Sequence, residues 1–380
     1  MLMLLPTLAG AAAIQVSQGP RNSGGASLSS DGQRLVFYSA NNLDGSNADG
    51  SFDVFAYQRS SGQTQALSSF AGGALAGGHQ TPVISGDGST VVYQRFESQP
   101  NGTVLFGSLA GSFAGGAATA LTGLGGFQTG DISDDGRQVL LDISNVGLVL
   151  LDLQAGTQQL VAGGNGLAFG LSGDGKRLVR QSFGGAISVV DVDSGTVQAI
   201  SAATAGGAFF DTAISGDGRH VAFTTSLNPL GSNADGNVEA FVIDLDSGLL
   251  RQITHSTDSR TLRGLALSDD GSRLVFSSQR DLAGGNADHG EEVFLADLLA
   301  GSLGQITSHA DATVQSLEAT ISGDGLTAAW TTFGLGGGSQ IFLSDLAPRA
   351  QDVPEPGSLA LLLLAAGAAW QARRRPAPQA

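Results

Sequence analysis

Apolar and β-branched residues along this chain come in short runs, and each run is introduced by the same polar signature. An apolar residue and Ser lead through one variable position into Asp-Gly. The copies are Leu28-Ser-Ser-Asp31-Gly32, Ile84-Ser-Gly-Asp87-Gly88, Ile132-Ser-Asp-Asp135-Gly136 and Leu171-Ser-Gly-Asp174-Gly175, then Ile214-Ser-Gly-Asp217-Gly218, Leu267-Ser-Asp-Asp270-Gly271 and Ile321-Ser-Gly-Asp324-Gly325. Successive Asp residues lie 39 to 56 positions apart. Asp-Gly between two strand-like runs is a strong hairpin signal, because Gly accepts the positive φ of the turn and the Asp side chain can bond nearby backbone N–H groups.

The sixth copy shows the whole unit. Two runs flank Asp270-Gly271, Glu292-Val-Phe-Leu-Ala-Asp-Leu reads as a third strand, and Ser302-Leu-Gly-Gln-Ile-Thr as a fourth. The fifth copy keeps this order with His220-Val-Ala-Phe-Thr-Thr, Ala240-Phe-Val-Ile-Asp-Leu and Leu250-Arg-Gln-Ile-Thr. One four-stranded sheet cannot cover both its faces, whereas seven packed face to face around an axis can. The fold class is therefore all-β: a seven-bladed β-propeller of four-stranded antiparallel blades. An open solenoid or large sandwich is the competing architecture; solenoid repeats are usually shorter and more even. Blade seven lacks a fourth strand after Gln340-Ile-Phe-Leu-Ser, and Ile14-Gln-Val-Ser precedes blade one without a sheet of its own. Pairing the two would close the ring.

The unit resembles the blade of the TolB-like and WD40-like β-propellers (the PD40 repeat) over residues 14–348. That family often carries Pro before the Asp, where this chain has Ser30, Gly86, Asp134, Gly173, Gly216, Asp269 and Gly323.

The two ends carry different signals. Residues 1–13 are apolar and finish in small residues, as a secretory signal peptide does, although the first basic residue is Arg21 and a truncated start would explain the missing basic region. A buried first strand is the competing reading. At the other end, a linker (349–357) contains Pro354-Glu355-Pro356; an apolar helix and basic tail (358–380) follow, with Arg373, Arg374 and Arg375 as the stop. Triplet, apolar run and Arg cluster in that order resemble the PEP-CTERM sorting signal of Gram-negative bacteria. The resemblance implies recognition by an exosortase, a precursor anchored transiently in the inner membrane, and export toward the cell surface or its extracellular matrix. The apolar run is short beside the roughly 17–25 residues of a relaxed span, and the Arg cluster would stay cytoplasmic. An ordinary tail anchor, or a helix packed on the propeller, competes with sorting.

Composition narrows the partners. Eighteen basic against 34 acidic residues give a net charge of −16, which disfavours nucleic acid. The absence of Cys excludes disulfides and thiolate metal sites.

A second repeated element offers candidate chemistry. Asn47, Asp49 and Asp53 recur as Asn233, Asp235 and Glu239, and again as Asn286, Asp288 and Glu292, always just before the third strand. Oxygen side chains at offsets zero, two and six could bind Ca²⁺; equally, they are the residues of a polar turn. No cofactor is otherwise expected. The seven turn Asp residues lie on separate blades and read as structural. His79, His220, His255, His289 and His309 have no zinc-site spacing, and there is no Gly-x-Ser-x-Gly elbow nor room for a hydrolase domain. The sequence thus points to a non-enzymatic, exported module binding a protein, a glycan or exopolysaccharide. A TolB-like periplasmic adaptor and a propeller polysaccharide lyase or hydrolase are the alternatives.

Overall fold

The computed structural model describes residues 12–70, 77–122, 127–143, 146–163, 166–182, 186–200 and 209–347. The chain divides into two units, Met1–Leu346 and Ala347–Ala380, and of the second only Ala347 is described. The sorting residues Pro354, Glu355, Pro356 and Arg373–Arg375, the apolar helix and nearly all of the proposed leader therefore lie outside the described residues. Among the described residues no helix is long and apolar enough to cross a membrane.

Seven four-stranded antiparallel sheets form the blades of a propeller. Blade 1 runs outward through Ser23–Leu28, Arg34–Ser39, Asp53–Gln58 and Gln63–Ala66. Blade 6 does so through Leu262–Leu267, Arg273–Ser278, Glu292–Asp297 and Ser302–Gln305. The seventh blade takes its outer strand from the other end of the chain: Ile14 pairs with Leu343 and Gln15 with Phe342. Side chains fix this seam. Ser17 Oγ donates to Gln340 Oε1 at 3.0 Å and accepts the Ile341 N–H at 2.8 Å, while Ser339 Oγ donates to the Ser23 carbonyl at 2.6 Å.

Alternation along each strand explains the packing. In blade 6, Leu274, Phe276, Phe294 and Ala296 face blade 5, whereas Val275, Val293 and Leu295 face blade 7. A strand whose two faces are both covered can be apolar throughout, so the sequence shows a run rather than an in–out alternation. Each of the seven blade interfaces holds its own apolar cluster. Directly paired aromatic residues stack within four blades, at Phe37–Phe55, Phe223–Phe241, Phe276–Phe294 and Trp330–Phe342, with centroids 5.8–6.3 Å apart. Such pairs add roughly 0.5–1.5 kcal/mol beyond burial.

Candidate functional site

The Asp-Gly turns all close one end of the propeller, and they are built alike. In every blade the signature Ser donates its hydroxyl to Asp Oδ1 at 2.5–2.8 Å. The same Oδ1 accepts the backbone N–H two residues on, at 2.8–3.0 Å. The turn glycines sit at φ +63° to +72°, where a Cβ would be strained. These Asp residues hold their own turns, as the sequence suggested.

The variable position inside the signature does something else. Its seven residues line the mouth of the central channel, and a closed belt of backbone hydrogen bonds ties the blades together there. Ser30 N donates to Gly86 O, Asp87 N to Asp134 O, Asp134 N to Gly173 O and Gly173 N to Gly216 O. Asp217 N then donates to Asp269 O, Asp269 N to Gly323 O and Asp324 N to Ser30 O, all at 2.7–2.9 Å. Around this ring the residues read Ser30, Gly86, Asp134, Gly173, Gly216, Asp269 and Gly323. Each Asp is thus flanked by glycines of the neighbouring blades. The glycines are clearance: a Cβ at Gly86 or Gly173 would collide with the Asp134 carboxylate, and one at Gly216 or Gly323 with that of Asp269.

Two carboxyl groups stand at this one mouth, and loss of water raises both. Loss of water, followed by the charge of Asp269, pushes Asp134 up from 3.8 to about 6. Burial also raises Asp269, but a hydrogen bond from Ser30 works against it. At Asp134, burial and the charges of Asp269, Asp131, Asp135 and Asp174 all push upward. Below the mouth, Asp131 accepts the Leu171 N–H of the next blade at 3.0 Å, and burial raises its pKa too. The channel cavity here has a volume of about 270 Å³. It opens into a basin of about 680 Å³ lined by Asp134, Asp135, Asp174, Asp217, Asp269 and Asp270, with Gly173 and Gly216.

At the opposite end stand the second-to-third-strand loops carrying the repeated Asn and acidic residues. Asn47, Asn233 and Asn286 are buried inside their loops, and each Nδ2 donates to the carbonyl four residues on, at 2.7–2.9 Å. Asp49, Asp235 and Asp288 are exposed. Asp53, Glu239 and Glu292 are buried and staple the loop that follows the fourth strand. Each accepts a hydroxyl fifteen residues on (Ser68, Thr254, Thr307) and a backbone N–H seventeen residues on (Phe70, Ser256, His309). Two of these carboxylates reach the next blade: Asp53 meets His79 at 3.2 Å and Glu239 meets the buried Arg280 at 3.4 Å. In blade 5, Asn233, Asp235 and Glu239 share a cavity of about 350 Å³ with the exposed His255. Among the described residues, no group of three or more His, Cys, Asp or Glu is placed to hold a metal ion.

The mouth pair was visible in the sequence only as two places where Asp stands in the variable position. What singles it out is the set of glycines beside it, and those lie on other blades.

Residues 352–375 match the PEP-CTERM protein-sorting motif, which marks the chain for export and for exosortase processing of a membrane-anchored precursor in a Gram-negative bacterium. No curated protein matches the chain in sequence. Among solved structures, the propeller is similar to an oligogalacturonate lyase in complex with manganese. That match has a TM-score of 0.61 and 13 % identity, covering 89 % of this chain and 94 % of that one. An oligogalacturonate lyase from Vibrio parahaemolyticus gives 0.60 and 12 %, covering 88 % and 93 %. Likeness at this identity establishes a shared fold.

It also corrects the expectation that the chain is not an enzyme. That expectation leaned on missing motifs and on the lack of room for a second domain. The matches span nearly the whole of both lyases, so this architecture carries catalysts without an added domain. The manganese belongs to that lyase's structure and is not carried to this chain at 13 % identity.

Proposed function

We propose that this exported propeller acts on a polysaccharide at the cell surface or in its matrix, with the Asp-Gly mouth of the channel as its active site. One observation carries the reading: Asp134, raised to about 6, shares a glycine-cleared mouth with Asp269, whose own rise a Ser30 hydrogen bond opposes. Cleaving a glycosidic bond by hydrolysis needs one carboxylic acid and one carboxylate, held in environments that keep them in different protonation states. Asp134 would give its proton to the glycosidic oxygen as the C–O bond breaks. Water would add at the anomeric carbon, passing a proton to Asp269. Atoms balance without a cofactor.

The oligogalacturonate lyases named above act on acidic sugars. A basin lined by six Asp residues would repel a uronate carboxylate, which favours hydrolysis of an uncharged or cationic glycan over β-elimination. The test is digestion of a panel by the full chain: a neutral glucan, acetylated and deacetylated hexosamine polymers, and polygalacturonate. New reducing ends are expected from a non-uronate member, with a rate that falls as pH rises past 6. Replacing a general acid typically costs about 10²–10⁴ in rate, so Asp134→Asn and Asp269→Asn should each lose at least ~100-fold. Ultraviolet-absorbing unsaturated products from polygalacturonate, or activity unchanged in Asp134→Asn, would sink the proposal.

A further inference from the structure

The basin and channel together specify more than a carboxyl pair. The basin lining consists of six Asp and two Gly, with no Lys, Arg or His among them. Four of those Asp residues (135, 174, 217 and 270) belong to turns, and each holds its turn through Oδ1. The negative charge is therefore spread along an arc of four blades rather than gathered at a point. A single metal ion does not suit this spread, and no three carboxylates come close enough to bind one.

A second observation lies deeper. Thr212 is 7 % exposed, lines the channel cavity beside Asp131, Asp134 and Asp269, and its buried Oγ1 has no hydrogen-bond partner. A buried hydroxyl left unpaired is costly, and here it stands as an acceptor at the end of an acidic path. An ammonium group brings three donors and no acceptor, and is complementary to both features.

We infer that the mouth takes a sugar polymer bearing ammonium groups along its length, that is, a deacetylated hexosamine chain. The inference rests on the proposed reading of the mouth as a glycan site and names its substrate class. Spaced cations on successive sugars match carboxylates spaced along an arc. Export places the chain among extracellular polymers, and the lyases sharing its fold are named for sugar oligomers. Their named substrate is a polyanion; the Asp-lined basin calls for the opposite charge.

The test is calorimetric titration of the full chain with three hexasaccharides, of glucosamine, N-acetylglucosamine and galacturonate, and with hexalysine. Glucosamine hexamer should bind at least tenfold tighter than either other sugar, and binding should weaken as salt rises. Asp135→Asn/Asp174→Asn, both exposed turn residues, should weaken it several-fold. Thr212→Val, which removes the acceptor while keeping shape, should do so too, with melting curves showing that each variant remains folded. Acetylated hexamer binding as tightly overturns the substrate class but leaves the glycan site standing. Hexalysine binding as tightly as glucosamine hexamer overturns the sugar identity. If no saccharide binds and no reducing ends form from any polymer, the reading of the mouth as a glycan site fails as well.

Discussion

The two ends of this propeller spend their acidic residues in opposite ways. At the loop end, Asp53, Glu239 and Glu292 are buried, and each is satisfied by a hydroxyl and a backbone N–H at the same two offsets. At the turn end, Asp134 and Asp269 lie over glycines of the neighbouring blades at one mouth; like charges surround both, and a Ser30 hydrogen bond partly relieves Asp269. Carboxylates that are fully hydrogen-bonded stabilise a fold, whereas a pair held apart from water and close to its own kind is kept at an energetic cost. On the proposed reading, the contrast separates residues that build the ring from those that would equip it for chemistry.

The comparison can be broken by substitution. The largest effect should come from Glu239→Ala, which strands the fully buried guanidinium of Arg280 and unpairs Ser256 N–H and the Thr254 hydroxyl. A loss of about 3–5 kcal/mol is expected in denaturant unfolding. A smaller effect should follow Gly173→Ala, whose Cβ meets the Asp134 carboxylate. It should cost about 1–3 kcal/mol, and Asp134→Gly should restore most of it in the double variant. Full additivity of the two would mean that the glycine is not there for clearance.

Next comes Asp134→Asn, with the opposite sign. The folded pKa of Asp134 lies above its unfolded value, so the native state holds the extra proton between about 4 and 6. Stability contributed by this group is present below that window and lost as pH rises through it. Asp134→Asn should therefore stabilise the protein at pH 8 by about 1–2 kcal/mol, a figure reduced for the partial exposure of the carboxyl. The gain should vanish by pH 4. The smallest effect is expected for Ser133→Ala, which removes one hydroxyl from one of seven equivalent turns: about 1 kcal/mol.

The strands, the seven turns and the closing seam were legible because each is a local pattern repeated along the chain. Ile14-Gln15 could be matched to the last blade simply because that blade lacked an outer strand. The repeated Asn and acidic loops were legible as a set, but not in what they do. The staple joins Glu292 to Thr307 and His309 across a whole strand, and Asn286 turns inward to the Gly290 carbonyl. The mouth was least legible. Asp134 owes its character to Gly86 on one side, Gly173 on the other, and Asp269 from three blades away, and no spacing along the chain brings those together. Motif absence did not decide the question of catalysis for a related reason: a site made of single residues from separate blades leaves no signature.

The most direct test of the account is a carboxyl-carbon NMR titration of the full chain labelled at aspartate, run on wild type, Asp134→Asn and Asp269→Asn. A resonance titrating near 6 is expected in wild type, absent from Asp134→Asn and shifted down toward the ordinary carboxylate range in Asp269→Asn. Asp134 titrating near 4 in both wild type and Asp269→Asn would contradict it.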